Sequence, residues 1–254
     1  MKTTLHILVL LLLVGGATKS TAQAPQAQTE WRQVCDSLVG AAKAGDPMTD
    51  FSMMRIAYAK SDYYEPYEGL LTFWRDSMKY CAGIGDYQRS LYWVEMAEID
   101  NYPDLCTQYY ATVANEQQGN ERQAAHHRWM TYYLAQAIMA GGDGNSDSTA
   151  WALIDVQEEH ALISFLKYTE EPGAETYHLT TPYGTIDQVA ATSDSTGERR
   201  VFYFNVDYPM AWLKQHPDVR DPDDPDSFWK WLDEDSSSTP EDSAFLDSLM
   251  NDTL

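Results

Sequence analysis

Oxygen-bearing side chains alternate along a short segment in the middle of this 254-residue chain: Asp143, Asn145, Asp147 and Thr149. The first four ligands of a calcium-binding loop have the same spacing. Such a loop also needs glycine at its sixth position and glutamate at its twelfth, and Ser148 and Ile154 stand there instead. A calcium site would therefore need a distant donor, Glu158 or Glu159, and a turn without metal is the favoured interpretation.

Two acids and a histidine stand side by side at Glu158, Glu159 and His160. They could supply general acid and base catalysis. Acids early in a helix also complement its dipole, and that is the interpretation we favour. A second pair, His126 and His127, lies on a predicted helix, where neighbouring side chains point about 100° apart. These two histidines cannot bind one ion together, so we predict packing or surface roles for them.

A turn rich in tyrosine and the predicted helices on either side of it carry aromatic side chains that could line a binding groove for a peptide or for sugar rings: Tyr58, Tyr63, Tyr64, Tyr67 and Trp74. Aromatic residues at helical spacing are more often core residues, and core and hairpin packing is the favoured interpretation. These residues are nevertheless the best candidates for binding, while no catalytic residue is predicted.

Three cysteines are present, Cys35, Cys81 and Cys106. This low, odd number excludes a disulfide framework. Buried free thiols are favoured, a single bridge between Cys81 and Cys106 is the alternative, and no histidine can be placed beside any of them to activate a thiol. The sequence also has no nucleophile elbow, phosphate loop, zinc-spaced Cys/His set or dinucleotide fingerprint.

The net charge of −22 repels phosphate backbones, which excludes nucleic acid as a partner. Acidic residues are concentrated near the end of the sequence: from Asp221 onward there are eleven Asp or Glu residues and one basic residue, Lys230.

The N-terminus has the pattern of a secretion signal. Lys2 precedes an apolar run from Leu5 to Val14, which is about half the length that spans a bilayer. Cleavage after Ala22, or alternatively after Ala24, defines residues 1–22 as the signal peptide. No cysteine lies near the cut, so we expect an exported, periplasmic or secreted protein that is neither a lipoprotein nor membrane-spanning.

Residues 29–140 have helical spacing. After a flexible lead over 23–28, one apolar stripe runs from Trp31 to Ala42, and Gly45 ends that helix. Asp46 and Pro47 have the pattern of an N-cap and first helical position, and a third helix is predicted from about Pro66.

The segment from Gly85 to Asp100 resembles the second helix of a tetratricopeptide repeat, with Gly-Asp-Tyr at its start, Ser90 and Leu91 after it, and then Ala97 and Pro103. Gly119-Asn120 follows 34 residues after Gly85-Asp86, which is the length of one repeat. Asn120 with Gln123 would cap the next helix. The resemblance covers about 70 residues and implies stacked helical hairpins, which bury apolar faces that neither helix can bury alone.

Residues 141–149 form a joint at which the period changes from helical to strand-like. Gly141 and Gly142 can adopt positive φ and end a helix. Over 150–217 we predict a strand at 151–156, a helix at 158–168 ended by 170–173, three antiparallel strands at 176–181, 186–192 and 200–207, and a short closing helix. The run 201–204 is apolar on both faces, which indicates a central strand.

Residues 218–254 are acidic and rich in Pro and Ser, which is typical of a disordered tail. Two apolar clusters interrupt them, and these comprise Phe228, Trp229, Trp231 and Leu232, then Phe245, Leu246, Leu249 and Met250. Such clusters suggest docking on the domain or recognition of a partner.

Several short sequence motifs together resemble those of an uncharacterised family of exported bacterial proteins, domain of unknown function 4919. They are 54–58, 61–67, 142–146, 149–151, 158–159 and 203–206. That family usually has tyrosine after the paired glutamates, where this chain has His160. The resemblance implies that these motifs belong to one fold.

We therefore expect an α+β fold, with N-terminal helical hairpins of tetratricopeptide type, a small antiparallel sheet with one or two helices, and an acidic extension. The favoured function is a non-catalytic exported module that binds a protein or peptide, without a cofactor. The alternative is a hydrolase or carbohydrate-acting protein whose site lies at the helix/sheet junction near Tyr63, Asp143 and Glu159.

Overall fold

The computed structural model describes residues 23–67, 70–171 and 177–216. The predicted signal peptide and the acidic tail lie outside these ranges. The helices before the joint are α1 (Gln23–Lys43), α2 (Phe51–Lys60), α3 (Leu71–Gly83), α4 (Tyr87–Asp100), α5 (Leu105–Gln117) and α6 (Glu121–Met139). After it come β1 (Trp151–Ala152), α7 (Gln157–Phe165), β2 (Tyr168–Glu170), β3 (Tyr177–Thr181), β4 (Gly184–Ser193), β5 (Arg199–Asn205) and α8 (Asp207–Gln215).

Consecutive helices pack against each other, with α1 against α2, α3 against α4, α4 against α5, and α5 against α6. The turns at Gly85 and Gly119 have φ of +80° and +71°, a conformation that glycine adopts without strain. The small side chain of Ser90 is buried and donates to the carbonyl of Met78 on α3 at 3.0 Å, which allows close helix contact. The α+β class and the stacked helical hairpins are therefore confirmed.

Several predicted helix starts are wrong. The lead at 23–28 belongs to α1. Asp46 accepts a hydrogen bond from the backbone of Met48 in a turn, and Asp50 caps α2 by accepting from Met53 at 2.8 Å. The third helix begins at Leu71, not near Pro66.

The prediction at Asn120 is right in position only, because Asn120 is the N-cap residue of α6. Its side chain makes no capping hydrogen bond and donates instead to the side chain of Asn115 at 3.1 Å. In contrast, Asp86 at the start of α4 does cap its helix, accepting from the backbone of Arg89 at 3.0 Å.

The five strands form one mixed sheet in the order β1-β5-β4-β2, with β3 also paired to β4. The antiparallel pairs of β4 with β3 and β5 agree with the prediction, and β5 lies inside the sheet as expected for its two apolar faces. The strand β2, which pairs antiparallel with β4, was not predicted. However, β1 is only two residues long and pairs parallel with β5. The joint also contacts β5, because the carbonyl of Gly144 accepts from the backbone of Tyr203 at 3.1 Å before β1 begins.

Two further predictions after α6 need correction. The helix ends at Met139 as expected, but the glycine with positive φ is Gly144, at +64°, and neither Gly141 nor Gly142. The helix predicted at 158–168, with a stop at 170–173, is α7 and already ends at Phe165. Lys167 adopts a left-handed φ of 64°, which turns the chain into β2, and such a conformation is uncommon outside glycine.

One large hydrophobic core joins the helices to the sheet. Phe51 and Leu134 of the helical half and Leu162 and Phe202 of the second half belong to the same buried cluster. Two smaller clusters flank it. One lies within α3, α4 and α5, and the other lies where α1, α2 and α8 meet.

Candidate functional site

An arginine lies inside the helical core. Arg75 of α3 is 1% exposed, and its guanidinium donates to the two carboxylate oxygens of Asp104 at 3.1 and 2.7 Å. Asp155, which precedes α7, accepts a third hydrogen bond from Arg75 at 2.8 Å. Asp104 is also the N-cap of α5 and accepts from the backbone of Thr107. This ionic network ties α3, α5 and the segment after β1 together.

A second buried ion pair lies beside it. Arg55 of α2 donates to both carboxylate oxygens of Glu158 on α7, at 3.2 and 2.7 Å. Arg55 also donates to the carbonyl of Ala152 at 3.2 Å, and the backbone of Ile154 donates to Glu158 at 2.9 Å. Both side chains are therefore used in holding the segment between β1 and α7 against α2.

Burial and pairing set the protonation of these groups in opposite directions. Burial alone would raise the pKa of Asp104, but the charge of Arg75 and the hydrogen bonds from Arg75 and Thr107 hold it below its usual value. Burial raises the pKa of Glu158, and the charge of Arg55 only partly offsets this effect. Since these carboxylates are enclosed and bound to guanidinium groups, they are structural and not exposed to a substrate.

The predicted acid, acid and histidine group is not brought to a common site. Glu158 and Glu159 are buried, at 2% and 3% exposure. The imidazole of His160 lies on the outer side of α7, where its Nδ1 is 2.7 Å from a carboxylate oxygen of Glu170 on β2. No contact connects His160 with the ion pair of Glu158, so the geometry offers no shared acid and base.

The predicted metal loop is folded on itself. Asp143 accepts hydrogen bonds from the backbone of Asn145 at 3.0 Å and from the hydroxyl of Thr149 at 2.6 Å, and these bonds lower the pKa of Asp143. The amide oxygen of Asn145 accepts from Arg200, and Asp147 accepts from the backbone of Ser148, both at 2.8 Å.

Glu159 lies in the buried face of α7. Among the residues that the structure describes, no three His, Cys, Asp or Glu side chains are grouped where a metal ion could bind. Likewise no contact links Asp143 with Tyr63, whose hydroxyl donates to Asp36 of α1 at 3.1 Å.

The two neighbouring histidines have separate partners in the helical half. Gln108 donates through its amide nitrogen to Glu98 and to the carbonyl of Tyr102, so its amide oxygen faces His127 and accepts from Nδ1 at 2.8 Å. Burial, with a smaller effect of His126, lowers the pKa of His127 to about 4. The ring of His126 lies 2.9 Å from the hydroxyl of Tyr102. Both act in packing and hydrogen bonding here.

The three cysteines are free and buried. Burial raises the pKa of Cys106 to about 12, and burial together with Asp36 raises the pKa of Cys35 to about 11. Since the thiolate is the nucleophilic form, neither thiol is prepared for catalysis.

The predicted binding residues fall into two places. Tyr58 and Tyr64 are buried, with ring centres 5.8 Å apart in an edge-to-face pair, and the hydroxyl of Tyr64 donates to the carbonyl of Ile154 at 2.6 Å. Tyr67 packs against the same small cluster as these two, whereas Trp74 packs against the separate cluster of α3 to α5.

An open groove lies between the tyrosine turn, the start of α1 and α8. Its volume is about 450 Å³. The lining residues are Gln28, Ala59, Lys60, Ser61, Asp62, Tyr64, Glu65, Tyr208, Ala211, Trp212, Gln215 and His216. Tyr64 and Trp212, which are 8% and 9% exposed, form its floor, while Tyr208 is 41% exposed at its rim. The groove therefore has an apolar aromatic floor and a polar rim.

Trp212 is held firmly in this floor. The imidazole of His216 stacks on its indole with ring centres 3.9 Å apart, and His216 Nδ1 donates to the carbonyl of Trp212 at 2.8 Å. Tyr67 lies 6.2 Å from the indole, ring centre to ring centre. With His216 stacked on the indole, a sugar ring cannot use that face, and the groove suits side chains entering between the rings.

A second hollow of about 330 Å³ lies between α5 and α6. Its lining includes Glu116 and Arg128, which already form an ion pair, and it has no aromatic residue. We therefore regard the aromatic groove as the better candidate site.

Sequence reasoning did not identify Tyr208, Trp212 and His216 as site residues. They are four residues apart, so they lie on one face of α8, and this aromatic spacing was the feature of the sequence that could have identified them. Sequence reasoning did not identify Arg75 either, although Leu71, Arg75 and Met78 lie on the same buried face of α3.

The chain matches the family model described as domain of unknown function (DUF4919) over residues 49–214. It matches no curated protein and no solved structure among those compared. Within the described residues, no helix is long and apolar enough to cross a membrane. Because the match covers well over half of the sequence, the chain belongs to the DUF4919 family.

Proposed function

We propose that this protein is a non-catalytic, exported binding module that holds a protein or peptide segment in the aromatic groove. The observation that carries the proposal is the groove itself, whose buried floor of Tyr64 and Trp212 is surrounded by exposed polar side chains. Protein interfaces have this anatomy, with an apolar centre for anchoring side chains and a polar rim that hydrogen-bonds the backbone.

The rim offers both kinds of hydrogen-bonding group. Lys60 and Gln215 can donate to peptide carbonyls, and Glu65 can accept from backbone N–H groups. The second acid, Asp62, is bound to Arg32 at 2.8 Å. Tyr208 adds an exposed ring with a hydroxyl, a residue type that is enriched in interfaces.

The placement of the carboxylates favours binding over hydrolysis. A glycoside hydrolase of the usual kind needs two carboxyl groups that face the substrate, with their pKa values separated. Here Asp104, Asp155 and Glu158 are each below 5% exposure and hydrogen-bonded to an arginine. The export part of the proposal rests on the sequence of residues 1–22 alone, and mass spectrometry of the mature N-terminus would test it.

The binding test uses the full chain, affinity-tagged and cross-linked in the cells that produce it, with captured partners identified by mass spectrometry. We expect a partner that is lost when Tyr208→Ala is introduced. The matched control is Tyr92→Ala, since Tyr92 is similarly exposed, at 50%, on α4 away from the groove. Equal capture by both variants, or no reproducible partner, would contradict the proposal. Turnover of a peptide or glycan that Glu159→Gln abolishes in a folded variant would support the hydrolase.

A further inference from the structure

The chain leaves the described structure from the rim of the groove. His216 is the last described residue, lines the groove and stacks on Trp212. The sequence then continues with residues 217–254. The following segment is thus tethered at the groove itself.

This segment contains a compact aromatic cluster. Phe228, Trp229, Trp231 and Leu232 fall within five consecutive residues, between acidic runs on both sides. Phe228 comes twelve residues after His216, a length that spans at most about 40 Å when extended. The cluster can therefore reach every part of the groove without strain on the connection.

The chemistry of the cluster matches the groove. A volume of about 450 Å³ lies in the range of pockets that bury large side chains. Tyr64 and Trp212 in its floor and Tyr208 at its rim can pack against indole rings, and paired aromatic rings contribute beyond the area they bury. Lys60 at the rim can pair with an acid that flanks the cluster, whereas Asp62 and Glu65 at the same rim carry the opposite charge, so aromatic packing carries the match.

We propose that the segment Phe228–Leu232 occupies this groove in the free protein, and that a partner must displace it. The inference rests on the proposed function, because it assigns to the same groove an occupant supplied by the chain. A short tether gives an effective concentration on the order of 1 mM. A segment with a Kd of about 0.1 mM as a free peptide would then fill the groove about nine-tenths of the time, and would weaken partner binding about tenfold.

The test places the photoreactive residue p-benzoylphenylalanine at position 208 of the full chain, where Tyr208 is exposed at the groove rim. Irradiation followed by digestion and mass spectrometry should give a link to residues 226–234 within one chain. A mixture of isotopically light and heavy protein distinguishes this link from one between two copies. The same residue placed at Tyr92 is the control and should give no such link.

Two outcomes would overturn the inference: links that fall outside the aromatic cluster, or links that join two copies. The double variant Trp229→Ala/Trp231→Ala should abolish the internal link and increase partner capture about tenfold. The internal link needs no partner, so it is measurable even if the proposed function fails. A different result would reject only the proposed occupant. If no internal link forms and the double variant leaves partner capture unchanged, the segment does not occupy the groove, and the proposed function of the groove still stands.

Discussion

The guanidinium of Arg75 and the carboxylate of Asp104 are joined by two hydrogen bonds, of 3.1 and 2.7 Å, at a place where each side chain is 1% exposed. The two residues are 29 positions apart and belong to different helical hairpins. A buried ion pair adds little net stability compared with apolar packing, but it makes the loss of either partner severe. The geometry of this ion pair also fixes the position of one helical hairpin relative to the other.

Arg75→Met should destabilise the protein by about 3–5 kcal/mol, because Asp104 and Asp155 would be left buried without a cation. Urea unfolding followed by circular dichroism measures the difference. The matched control is Arg128→Met, whose partner Glu116 forms an exposed pair with it, and we expect a loss of about 1 kcal/mol or less. Similar losses in both variants would show that the buried network does not behave as described.

His127 should make stability depend on pH. Its folded pKa of about 4 is below the unfolded value of about 6.5, so the unfolded chain binds the extra proton as the pH falls. Stability should therefore decrease between about pH 6.5 and pH 4, by an amount on the order of 2–3 kcal/mol from this group.

His127→Asn keeps a donor near Gln108 and removes the titrating ring, so it should flatten that slope in thermal unfolding measured across the range. His160→Gln, at a half-exposed position, is the control and should leave the slope in place. If the dependence of stability on pH is unchanged in His127→Asn, other titrating groups cause it.

Two adjacent glycines should respond differently to alanine. A Cβ at Gly142 would lie 2.2 Å from the carbonyl oxygen of Thr149, and backbone would have to move to accommodate it. A Cβ at Gly141 meets no atom within 4 Å. Gly142→Ala should therefore lose about 1–3 kcal/mol, and Gly141→Ala should be within about 0.5 kcal/mol of wild type. Denaturant midpoints of the two variants decide the matter, and equal values would count against the close contact at Gly142.

Neighbouring tyrosines offer another matched pair. Tyr64 donates its buried hydroxyl to the carbonyl of Ile154, whereas Tyr63 is 37% exposed and donates to Asp36. Tyr64→Phe should cost about 1–2 kcal/mol because it leaves a buried carbonyl without its donor. Tyr63→Phe should change the free energy of unfolding by less than about 0.5 kcal/mol. A larger loss for Tyr63 would reverse the assignment of structural roles.

Calcium titration in a calorimeter tests the remaining site hypothesis. We expect no binding heat from the full chain, because the oxygens of Asp143 and Asn145 already accept hydrogen bonds within the loop and from Arg200. Asp143→Ala serves as the comparison. Saturable heat in the wild type that disappears in this variant would establish a calcium site.

Local features of the fold were predictable from the sequence. Gly85 and Gly119, each followed by a polar residue, mark turns because only local backbone conformation is involved. The left-handed Lys167 and the parallel pairing of Trp151 with Phe204 were not predictable, since tertiary contacts select both.

The candidate site was predictable only in part. The tyrosine turn supplies one wall of the groove, and its density of aromatic residues was visible in the sequence. The opposite wall comes from Tyr208 and Trp212, more than 140 residues later in the chain, and no periodicity connects segments so far apart. The partners of Arg75 were hidden for the same reason, because Asp155 is 80 positions away.

The buried cluster that contains both Leu134 and Phe202 makes the two halves thermodynamically inseparable. Each half supplies the apolar surface that the other needs, so neither would be stable if it were produced by itself. Heat or denaturant should then unfold the helices and the sheet in one cooperative transition.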